Sequence, residues 1–435
     1  MITKERSSSV AVRTIQALEA TETKKHVSQL ALLGGKPAFA EGLHVGRPNV
    51  PRGAARARFM KRMTEILDRQ WLTNHGPVVK EFEQEIARLT GVPHAIAVCN
   101  ATQGLQVAAK ACELTGEVIV PAFTFIATAH ALNWIGLQPV FADVDSATHS
   151  MDPRQIEKLI TPRTSAIVAT HLWGRPCAVE QIEKIARWYE LPVIYDAAHA
   201  FGCSHRGQMI GSFGSAEVFS FHATKFINSG EGGAITTNDD ELAARIRRLV
   251  NFGFEGFDRV VDVGTNAKMS EAAAAMGLAG LEMIDEVIEI NHKNYAAYQA
   301  GLAGLPGVRL LPNDEREARN HQYVVIEIEA DRAGLSRDQL RDVLWAEGIM
   351  ARRYFYPGCH RMEPYLTERA ERHFHQVLPV TERLAESVLT LPTGTSVGAD
   401  EIAVISQIIR LALKGAPEVI LKLTGTEHAL ASAGS

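Results

Sequence analysis

The stretch Ser220–Lys225, with the sequence SFHATK, and the EGG of Glu231–Gly233 decide how this chain folds. Residues 216–221 and residues 232–237 are mostly apolar, small or β-branched, a composition that predicts a short strand on each side of the lysine. Lys225 then occupies a compact turn near glycines, which allow a backbone to approach a bulky group closely. The ordinary interpretation of a lysine in a loop is a solvated charge. Its small and hydroxylic neighbours favour instead a lysine that faces a ligand.

Upstream of this turn, short apolar segments alternate with helical ones. We predict strands at residues 95–98, 117–121, 139–142, 165–170 and 192–195, each followed by a helix or a loop. Short buried strands separated by helices are typical of a mostly parallel sheet that helices cover on both faces. Ligands bind such sheets beyond the carboxyl ends of the strands. The predicted fold class is therefore α/β, with a binding site at that edge.

The pattern changes near residue 287, where the regular alternation of strand and helix gives way to a smaller α+β arrangement. The first residues are polar and of mixed charge, and the last ones are small. Chain ends of this composition are typically poorly ordered. We therefore predict a flexible tail at 1–27, a large domain at 28–286, a small C-terminal domain at 287–413 and a second flexible tail at 414–435.

Composition excludes several functional classes. The 435 residues carry a net charge of −5 with both signs interspersed, which argues against a nucleic-acid surface. No stretch approaches the roughly 20 apolar residues of a membrane span, and no hydrophobic signal core follows the first charges. The 5 cysteines are scattered without a CxxC pair. We expect a cytoplasmic protein in a reducing compartment, with no nucleic acid or membrane partner.

The sequence lacks the motifs of two other kinds of site. It contains no G-x-G-x-x-G after a strand and no G-x-x-x-x-G-K-[ST], so the loops of dinucleotide and P-loop proteins are absent. His360, His373 and His375 lie in a polar region without a helical His-x-x-x-His pair. We therefore expect no metal site.

A lysine amine can form a Schiff base with a carbonyl cofactor, of which pyridoxal 5'-phosphate (PLP) is the commonest. Such a cofactor requires an acid for its pyridine nitrogen. Asp196 directly follows the predicted strand at 192–195 and can pair with a protonated pyridine nitrogen. The alternative for Asp196 is a helix cap or a turn aspartate. One connection and one strand separate Asp196 from Lys225, so both can reach one pocket.

The cofactor also requires a phosphate site and an aromatic ring. The segment Asn100–Leu105 follows a predicted strand and opens a helix, where free N–H groups bind phosphate, and Thr102 adds a hydroxyl. The alternative is an ordinary helix cap. Ser220 can supply a further hydroxyl. Phe125 can stack on the pyridine ring, although an aromatic residue at a strand end is more often part of the core. His199 can reach the cofactor's phenolic oxygen or be a structural histidine.

These motifs resemble those of the sugar-nucleotide aminotransferases, the DegT/DnrJ group of fold-type I PLP enzymes. The resemblance covers about residues 33–413 and includes YDAAH at Tyr195–His199, the SFHATK and EGG motifs, and the segments Trp71–Pro77 and Gly264–Glu271. The segments His171–Cys177, Asn251–Phe254 and Tyr356–His360 are most similar to the branch of dTDP-4-amino-4,6-dideoxy-D-glucose transaminases.

The resemblance implies a role for each matching residue. Lys225 corresponds to the Schiff-base lysine and Asp196 to the partner of the pyridinium. Phosphate contacts are implied for Ala101, Thr102 and Ser220, ring stacking for Phe125, and proximity to the phenolic oxygen for His199. Asn266 matches an asparagine that contacts the phosphate from the neighbouring subunit, which implies a homodimer with shared sites. Two positions depart from the family: Ala101 stands where many members have Gly, and Lys268 where many have Arg.

The implied reaction moves an amino group from L-glutamate to C4 of dTDP-4-keto-6-deoxy-D-glucose, on the way to antibiotic sugars. The alternatives are a C3 aminotransferase, a PLP sugar dehydratase, whose members carry His where Lys225 stands, and a non-catalytic PLP-binding regulator. A sugar nucleotide requires cationic or amide donors and aromatic surface. The candidate substrate contacts are Trp71, Asn74, Arg352, Tyr354 and His360. The alternative is that these aromatic residues belong to the core and Arg352 to the surface.

Overall fold

The computed structural model describes residues 23–366 and 377–432 of the chain. Its strands are β1 (Leu43–His44), β2 (His94–Val98), β3 (Glu117–Pro121), β4 (Gln138–Ala142), β5 (Thr164–Thr170), β6 (Val193–Asp196), β7 (Ser204–His205), β8 (Gln208–Met209), β9 (Ala216–Ser220), β10 (Gly233–Thr237), β11 (Phe254–Glu255), β12 (Arg259–Val260), β13 (Val308–Leu310), β14 (Val324–Ile328), β15 (Ile349–Met350) and β16 (Val388–Leu391).

Helices alternate with the first strands and dominate the last third of the described chain. They are α1 (Gly53–Arg69), α2 (Pro77–Thr90), α3 (Ala101–Ala111), α4 (Ala127–Trp134), α5 (Pro153–Leu159), α6 (Val179–Trp188), α7 (Asp240–Val250), α8 (Glu271–Leu281), α9 (Ile284–Leu302), α10 (Ala330–Ala333), α11 (Arg337–Ala346), α12 (Pro379–Ser387), α13 (Ala399–Lys414) and α14 (Ala416–Ser432). Short 3-10 turns lie at Val27–Gln29, Ala31–Leu33, Leu172–Gly174 and Cys359–Arg361.

A seven-stranded sheet of order β2-β10-β9-β6-β5-β3-β4 forms the centre of the larger unit. The pairs from β9 to β4 are parallel, as predicted, and every residue of β3 and β6 is buried. β10 runs antiparallel to both of its neighbours. The chain between β9 and β10 contains no helix, and without a crossover it returns beside β9 in the opposite direction. Lys225 lies in this connection.

The helices that cover this sheet owe their positions to apolar stripes and end signals. In α2, Pro77 occupies the first turn, where its missing N–H costs no hydrogen bond, and Phe82 and Ile86 are fully buried. The helix ends at Gly91, whose φ of 74° is the left-handed conformation that glycine adopts most readily. The buried stripe of α2 packs against α8 and thereby fixes the loop between α1 and α2.

A second core lies around the antiparallel sheet β13-β14-β16 and the helices α9, α11 and α13. Leu30, Phe39 and Leu43 belong to this core, and β1 pairs with β15. The predicted boundary at residue 28 therefore differs from the structure, in which the segment before α1 packs with the C-terminal part of the chain. The periodicity of the sequence does not reveal this return, because it depends on contacts between distant segments.

Both predicted tails are partly structured. Lys24 Nζ lies 2.6 Å from Glu347 Oε2, and both side chains are buried. At the other end, α14 replaces the expected frayed tail, and Val419 is fully buried in the second core, with Ile420 and Leu423 packed against it. The small residues that suggested fraying follow this apolar stretch. Residues 1–22 and 433–435 lie outside the described part of the chain.

Candidate active site

The strand register brings the predicted site residues to one edge of the central sheet. Asp196 pairs with Thr170 of β5 on one side and with Val218 of β9 on the other. Ser220, two residues further along β9, pairs with Gly233, and Gly233 in turn pairs with Val98 at the end of β2. The turn that carries Lys225 and the start of α3 therefore flank the same edge as Asp196.

Lys225 points into this site. Its Nζ donates a hydrogen bond of 3.1 Å to Tyr323 Oη. Burial lowers the pKa of the Lys225 ammonium to about 8, while the charges of Asp196 and Tyr354 act in the opposite direction. Near neutral pH the neutral amine is therefore a larger fraction than in a solvated lysine, and this is the form that attacks a carbonyl or accepts a proton.

Asp196 is held by hydrogen bonds from two directions. Its Oδ2 accepts from Thr128 Oγ1 at 2.7 Å and its Oδ1 from the Ala198 N–H at 3.1 Å. Thr128 Oγ1 lies 3.1 Å from Thr124 Oγ1, so a chain of two hydroxyls leads to the carboxylate. Burial raises the pKa of Asp196, and these two donors and Lys225 oppose the shift. A cation close to this carboxylate would stabilise its charged form.

The start of α3 offers an anion site. The Asn100 side chain caps the helix by accepting from the Gln103 N–H at 2.8 Å. The N–H groups of Ala101 and Thr102 belong to the first turn of the helix, where no intrahelical acceptor is available to them. They point away from the helix toward the edge of the sheet, the arrangement in which helices bind phosphate. Ser220 lies two strands away at the same level.

The glycine pair of the EGG motif, Gly232 and Gly233, allows β10 to lie close to the start of α3. A Cβ on Gly233 would lie 2.8 Å from Ala101 N and 2.7 Å from Phe219 O, both backbone atoms. A Cβ on Gly232 would lie 2.0 Å from Ser229 Oγ. Any side chain at residue 233 would therefore push β10 away from the start of α3. The glycines set the distance between the helix start and the lysine turn.

Aromatic rings surround the remaining side of the site. His199 is buried and stacks on Trp173, with ring centroids 5.9 Å apart and planes inclined by 26°. Burial, and to a lesser extent the charge of Lys225, lower the pKa of His199 well below its usual value, so its imidazole is neutral. Phe125 is 56% exposed whereas Phe123 is fully buried. Of these two phenylalanines, only Phe125 has an exposed ring, and its stacking on a cofactor stays a prediction.

Three residues of the site were missed in the sequence. Tyr323 and Thr128 belong to no motif of the sequence analysis, and Trp173 enters it only as part of the similar segment His171–Cys177. Tyr323 precedes β14 and reaches Lys225 from the smaller unit. Of the three, only Trp173 had a signal in the sequence, through the similarity of the segment His171–Cys177 to relatives. In the structure Trp173 has a φ of 60°, an uncommon value for a residue with a bulky side chain.

Arg352 and Tyr354 line a cavity of about 330 Å³ together with Phe125. The Arg352 guanidinium lies 5.9 Å from the centroid of the Tyr354 ring. Arg341 and Arg353 contribute further positive charge to the lining, and Trp345 and Tyr356 further aromatic surface. The cavity therefore combines cations and rings directly beside the predicted stacking phenylalanine.

The structure does not bring His360 to this cavity. Its side chain is 1% exposed in the 3-10 turn Cys359–Arg361, and its Nε2 lies 3.4 Å from Glu382 Oε1 at α12. The role of His360 as a substrate contact stays a prediction, and in the described chain its imidazole is enclosed between two elements of the protein. That prediction came from the residue type and its position near Arg352 and Tyr354, which do not report which way a side chain faces.

Trp71 and Asn74 lie in the loop between α1 and α2. Trp71 is 45% exposed, and the loop is tied to the start of α8 by a hydrogen bond from the Glu271 N–H to the Leu72 carbonyl. Among the described residues, no contact joins this loop to the cavity that holds Arg352. Their role as substrate contacts stays a prediction, and within one chain the loop and the cavity are separate.

Asn266 is exposed on a segment that runs beside the end of β2. The Cys99 N–H donates to the Ala267 carbonyl at 2.8 Å, which fixes this segment next to the start of α3. Lys268 Nζ donates to Asn251 Oδ1 at 2.8 Å and lies 4.6 Å from the centroid of the Phe252 ring. Lys268 is thus engaged within its own chain, whereas Asn266 faces outward.

Metal-binding clusters and membrane-spanning helices are both absent from the described chain. Within residues 23–366 and 377–432, no group of three or more His, Cys, Asp or Glu side chains is placed to hold a metal ion. His373 and His375 lie outside the described residues. No helix in that part of the chain has the length and apolar character needed to cross a membrane.

Comparison with known proteins gives consistent matches. The model of the DegT/DnrJ/EryC1/StrS aminotransferase family matches residues 54–410. The chain is 37% identical to the dTDP-4-amino-4,6-dideoxy-D-glucose transaminase of Escherichia coli, covering 84% of this chain and 97% of that protein. It is also 36% identical to the GDP-perosamine synthase of Caulobacter vibrioides, covering 76% of this chain and 88% of that protein.

Solved structures with the same fold cover similar lengths. The crystal structure of DesI in the presence of its TDP-sugar product has 52% identity and a TM-score of 0.87, covering 92% of this chain and 100% of DesI. That of DesV from S. venezuelae, in complex with a ketimine intermediate, has 31% identity and a TM-score of 0.75, covering 85% of this chain and 99% of DesV. These likenesses confirm the predicted α/β fold class.

Proposed function

Because the chain belongs to the DegT/DnrJ/EryC1/StrS aminotransferase family, we propose that it moves an amino group from L-glutamate to C4 of dTDP-4-keto-6-deoxy-D-glucose. The product would be dTDP-4-amino-4,6-dideoxy-D-glucose, used for antibiotic deoxysugars. The proposal refines what the family membership establishes, namely that the chain is a PLP-dependent sugar-nucleotide transaminase of fold-type I. The observation that carries the proposal is the meeting of Lys225, Asp196 and the start of α3 at one edge of the sheet.

The residues at this edge fit PLP in charge and shape. Because Gly233 has no side chain, the first N–H groups of α3 stay accessible beside Ser220. A Cβ at residue 233 would fill this space. Asp196 is a buried carboxylate that faces the same edge, and the lowered pKa of Lys225 keeps an amine available for a carbonyl carbon. Each chemical part of the cofactor therefore has a matching group in this chain.

Each of these groups is assigned one contact. Lys225 would hold the cofactor through its aldehyde carbon, and Asp196 would pair with the pyridine nitrogen. The phosphate would be held by Ala101, Thr102 and Ser220, the ring by Phe125, and the phenolic oxygen by His199. When bound, PLP supplies an electron sink for the charge that develops as a proton leaves the carbon bearing the amine.

The protein's own groups would perform the proton transfers. When not bound to the cofactor, the Lys225 amine would be free, and its lowered pKa would suit it to accept a proton from the substrate carbon and to return one. Tyr323 orients Nζ through its hydroxyl, whose pKa is raised by burial so that it stays protonated. Asp196, fixed by Thr128, preserves positive charge on the group that it contacts. Neutral His199 adds no competing charge.

Substrate recognition is assigned to the cavity beside Phe125. Arg352 would meet the diphosphate as a charge-assisted donor, and Tyr354 would contact the sugar. The dTDP group and amination at C4 are supported by the names of relatives, among them the E. coli enzyme at 37% identity. GDP-perosamine synthases at 36% identity make a GDP-linked sugar the second candidate. The lysine at position 225 weighs against a dehydratase.

We further propose that the enzyme is a homodimer in the cytoplasm, with Asn266 reaching the phosphate site of the partner subunit. The outward position of Asn266 and its tether beside the start of α3 support this arrangement. None of the cysteines in the described chain is in a disulfide, which suits a reducing compartment.

The proposed reaction is tested by product analysis. The purified protein is incubated with L-glutamate and, in parallel, with dTDP-4-keto-6-deoxy-D-glucose or its GDP-linked counterpart, and the product is examined by NMR. We expect an equatorial amine at C4 of the dTDP sugar. A nitrogen at C3, an axial amine, or faster turnover of the GDP sugar would refute the assigned substrate, while 2-oxoglutarate formation would still report on the donor.

A further inference from the structure

A second cavity lies outside the cofactor site. It has a volume of about 490 Å³ and lies between the β7–β8 hairpin, the residues after the 3-10 turn Leu172–Gly174, and the segment before Tyr323. Its lining consists mainly of charged side chains: Arg175, Pro176, His205, Arg206, Asp314, Arg316, Glu317 and Arg319. None of the residues assigned above to the cofactor or the substrate contributes to it.

The carboxylates of this lining are already engaged. Asp314 accepts two hydrogen bonds of 2.9 Å from the Arg316 guanidinium. Glu317 Oε2 accepts from Ser204 Oγ at 2.6 Å and from the Gly207 N–H at 3.2 Å. Arg206 Nε lies 2.9 Å from Glu180, a carboxylate outside the lining. Within the described lining, Arg175 and Arg319 are the arginines that form no ion pair within 4 Å, although Asp314 and Glu317 act on them from a longer distance.

Arg319 is held in place by one end of its guanidinium only. Its Nη1 donates to the Ser204 carbonyl at 2.7 Å and to the Ala318 carbonyl at 2.9 Å. The side chain is 8% exposed, and its buried Nε has no hydrogen-bond partner in the described chain. Two carbonyls fix the position of the group but do not neutralise its charge.

Arg175 is less constrained than Arg319 and likewise forms no ion pair within the described chain. Its Nη1 is buried without a hydrogen-bond partner among the residues that the structure describes. Burial, and next the positive charge of Arg319, lower the pKa of Arg175, which indicates that the two guanidinium groups are close. Arg309, a third cation nearby, is paired with Glu327. Arg175 therefore faces the like charge of Arg319, and Asp314 opposes that charge only from beyond ion-pair distance.

Two guanidinium groups without an ion pair at one cavity are energetically unfavourable, because arginine keeps its proton and a charge taken out of water costs free energy unless it is paired. A guanidinium also presents parallel N–H donors that match the geometry of phosphate and carboxylate oxygens. We propose that the cavity between Arg175 and Arg319 binds a small oxyanion with two negative charges, at a site separate from the cofactor and the sugar nucleotide.

The test uses the holoenzyme saturated with PLP, so that the cofactor's phosphate site is filled, in a buffer free of multivalent anions. Inorganic phosphate is titrated in by calorimetry, and malonate in a parallel series distinguishes a phosphate from a dicarboxylate. We expect one site per chain. Arg175→Gln should weaken the affinity by about tenfold or more, the equivalent of one charge-assisted hydrogen bond. Arg175→Lys keeps the positive charge and should therefore retain part of the affinity for the anion.

Three further variants make the result specific. Arg154→Gln removes an exposed arginine paired with Asp152 and changes the net charge equally, so it should leave anion affinity unchanged. Arg319→Gln should weaken binding as Arg175→Gln does, although it also loses two hydrogen bonds. Arg352→Gln reports on the substrate cavity, and loss of binding in that variant alone would place the anion there and overturn the proposal.

A stability measurement keeps the proposal testable if Arg319→Gln does not fold. Without anion, Arg175→Gln should have a Tm equal to or above that of the wild type, because it removes a charge that has no ion pair. Phosphate or malonate should raise the Tm of the wild type and of Arg154→Gln but not of Arg175→Gln. Absence of any anion effect on the wild type, or an equal effect on Arg175→Gln, would refute the site.

Discussion

Lys225 and Tyr323 are joined by a hydrogen bond of 3.1 Å although 98 positions separate them in the chain. Lys225 belongs to the connection between β9 and β10 in the larger unit, and Tyr323 precedes β14 in the smaller one. The bond therefore places a residue of the second core against the amine on which the proposed chemistry depends. The site is completed only when both units are folded against each other.

Replacement of Lys225 by alanine should abolish transamination, with a loss of at least about 10²- to 10⁴-fold, because it removes the proposed acid–base group. Lys293→Ala, which alters an exposed lysine near Glu289, is the matched control and should be as active as the wild type. Borohydride reduction of the holoenzyme followed by peptide mapping should find a pyridoxyl group on Lys225. A label on another lysine would contradict the assignment.

Stability of the cofactor-free protein should depend on the Lys225 titration. The folded pKa of about 8 lies below the unfolded value of 10.5, so the buried ammonium destabilises the protein at low pH and this effect fades as pH rises from about 8 toward 10.5. Lys225→Met should therefore be more stable than the wild type at pH 7, by up to about 3 kcal/mol. Denaturant unfolding at pH 7 and 9.5 measures the difference, which should shrink at the higher pH.

Tyr323→Phe should lower kcat by about three- to tenfold, the usual worth of one hydrogen bond, because the ring remains while the hydroxyl that orients Nζ is lost. Tyr298→Phe is a suitable control, since its hydroxyl bonds to the Pro392 carbonyl away from the site. Steady-state kinetics at saturating glutamate provides the measurement. An unchanged kcat in Tyr323→Phe would show that the bond has no role in positioning the amine.

Gly233→Ala should weaken PLP binding and cost about 1–3 kcal/mol of stability, because its Cβ would lie 2.8 Å from Ala101 N and 2.7 Å from Phe219 O. The strand must then move away from the start of α3. Gly425→Ala, which has no atom within 4 Å of the added Cβ, should be neutral or stabilising. Fluorescence titration with PLP and chemical denaturation distinguish the two variants. Equal behaviour would contradict the proposed phosphate site.

If sites are shared between subunits, a mixture of two inactive variants should regain activity. Asn266→Ala and Lys225→Ala each damage one part of the proposed site. In a heterodimer of the two variants, one of the two shared sites would contain both Lys225 and Asn266. Recovery after mixing should approach about a quarter of wild-type activity for random exchange of two chains. Lack of recovery despite subunit exchange, demonstrated by differently tagged chains, would show that Asn266 acts within its own subunit.

The parts of the site that could be predicted lie at strand ends and helix starts. Asp196, Thr102 and Ser220 follow from local patterns, because a strand that ends in a polar residue places it at the edge of the sheet. Resemblance added Asn266 and the identity of the cofactor. In each case, the relevant signal is contained in a few neighbouring residues.

The residues that could not be predicted depend on contacts between distant segments. The hydrogen bond between Lys225 and Tyr323 forms only because the second core packs against the larger unit. The hydrogen bond from Thr128 to Asp196 joins α4 to the end of β6, which lie far apart in the sequence. The residue type of His360 suited a substrate contact, but the direction of its ring, toward Glu382, depends on packing that the sequence does not show. The C-terminal helix was missed because its apolar residues precede a run of small ones.

The buried ion pair between Lys24 and Glu347 limits where the chain can be shortened. The family match begins at residue 54, which invites an engineered protein that starts there. In the full chain, however, the Glu347 carboxylate accepts hydrogen bonds from Lys24 Nζ, the Ala31 N–H and the Ala38 N–H, and it is fully buried. Removal of the residues before 54 would take away all three donors together with Leu30, Phe39 and Leu43 of the second core, and loss of one large core side chain typically costs about 2–5 kcal/mol. A protein trimmed to the family boundary would thus lose much of its stability, whereas one that keeps residue 24 retains the anchor.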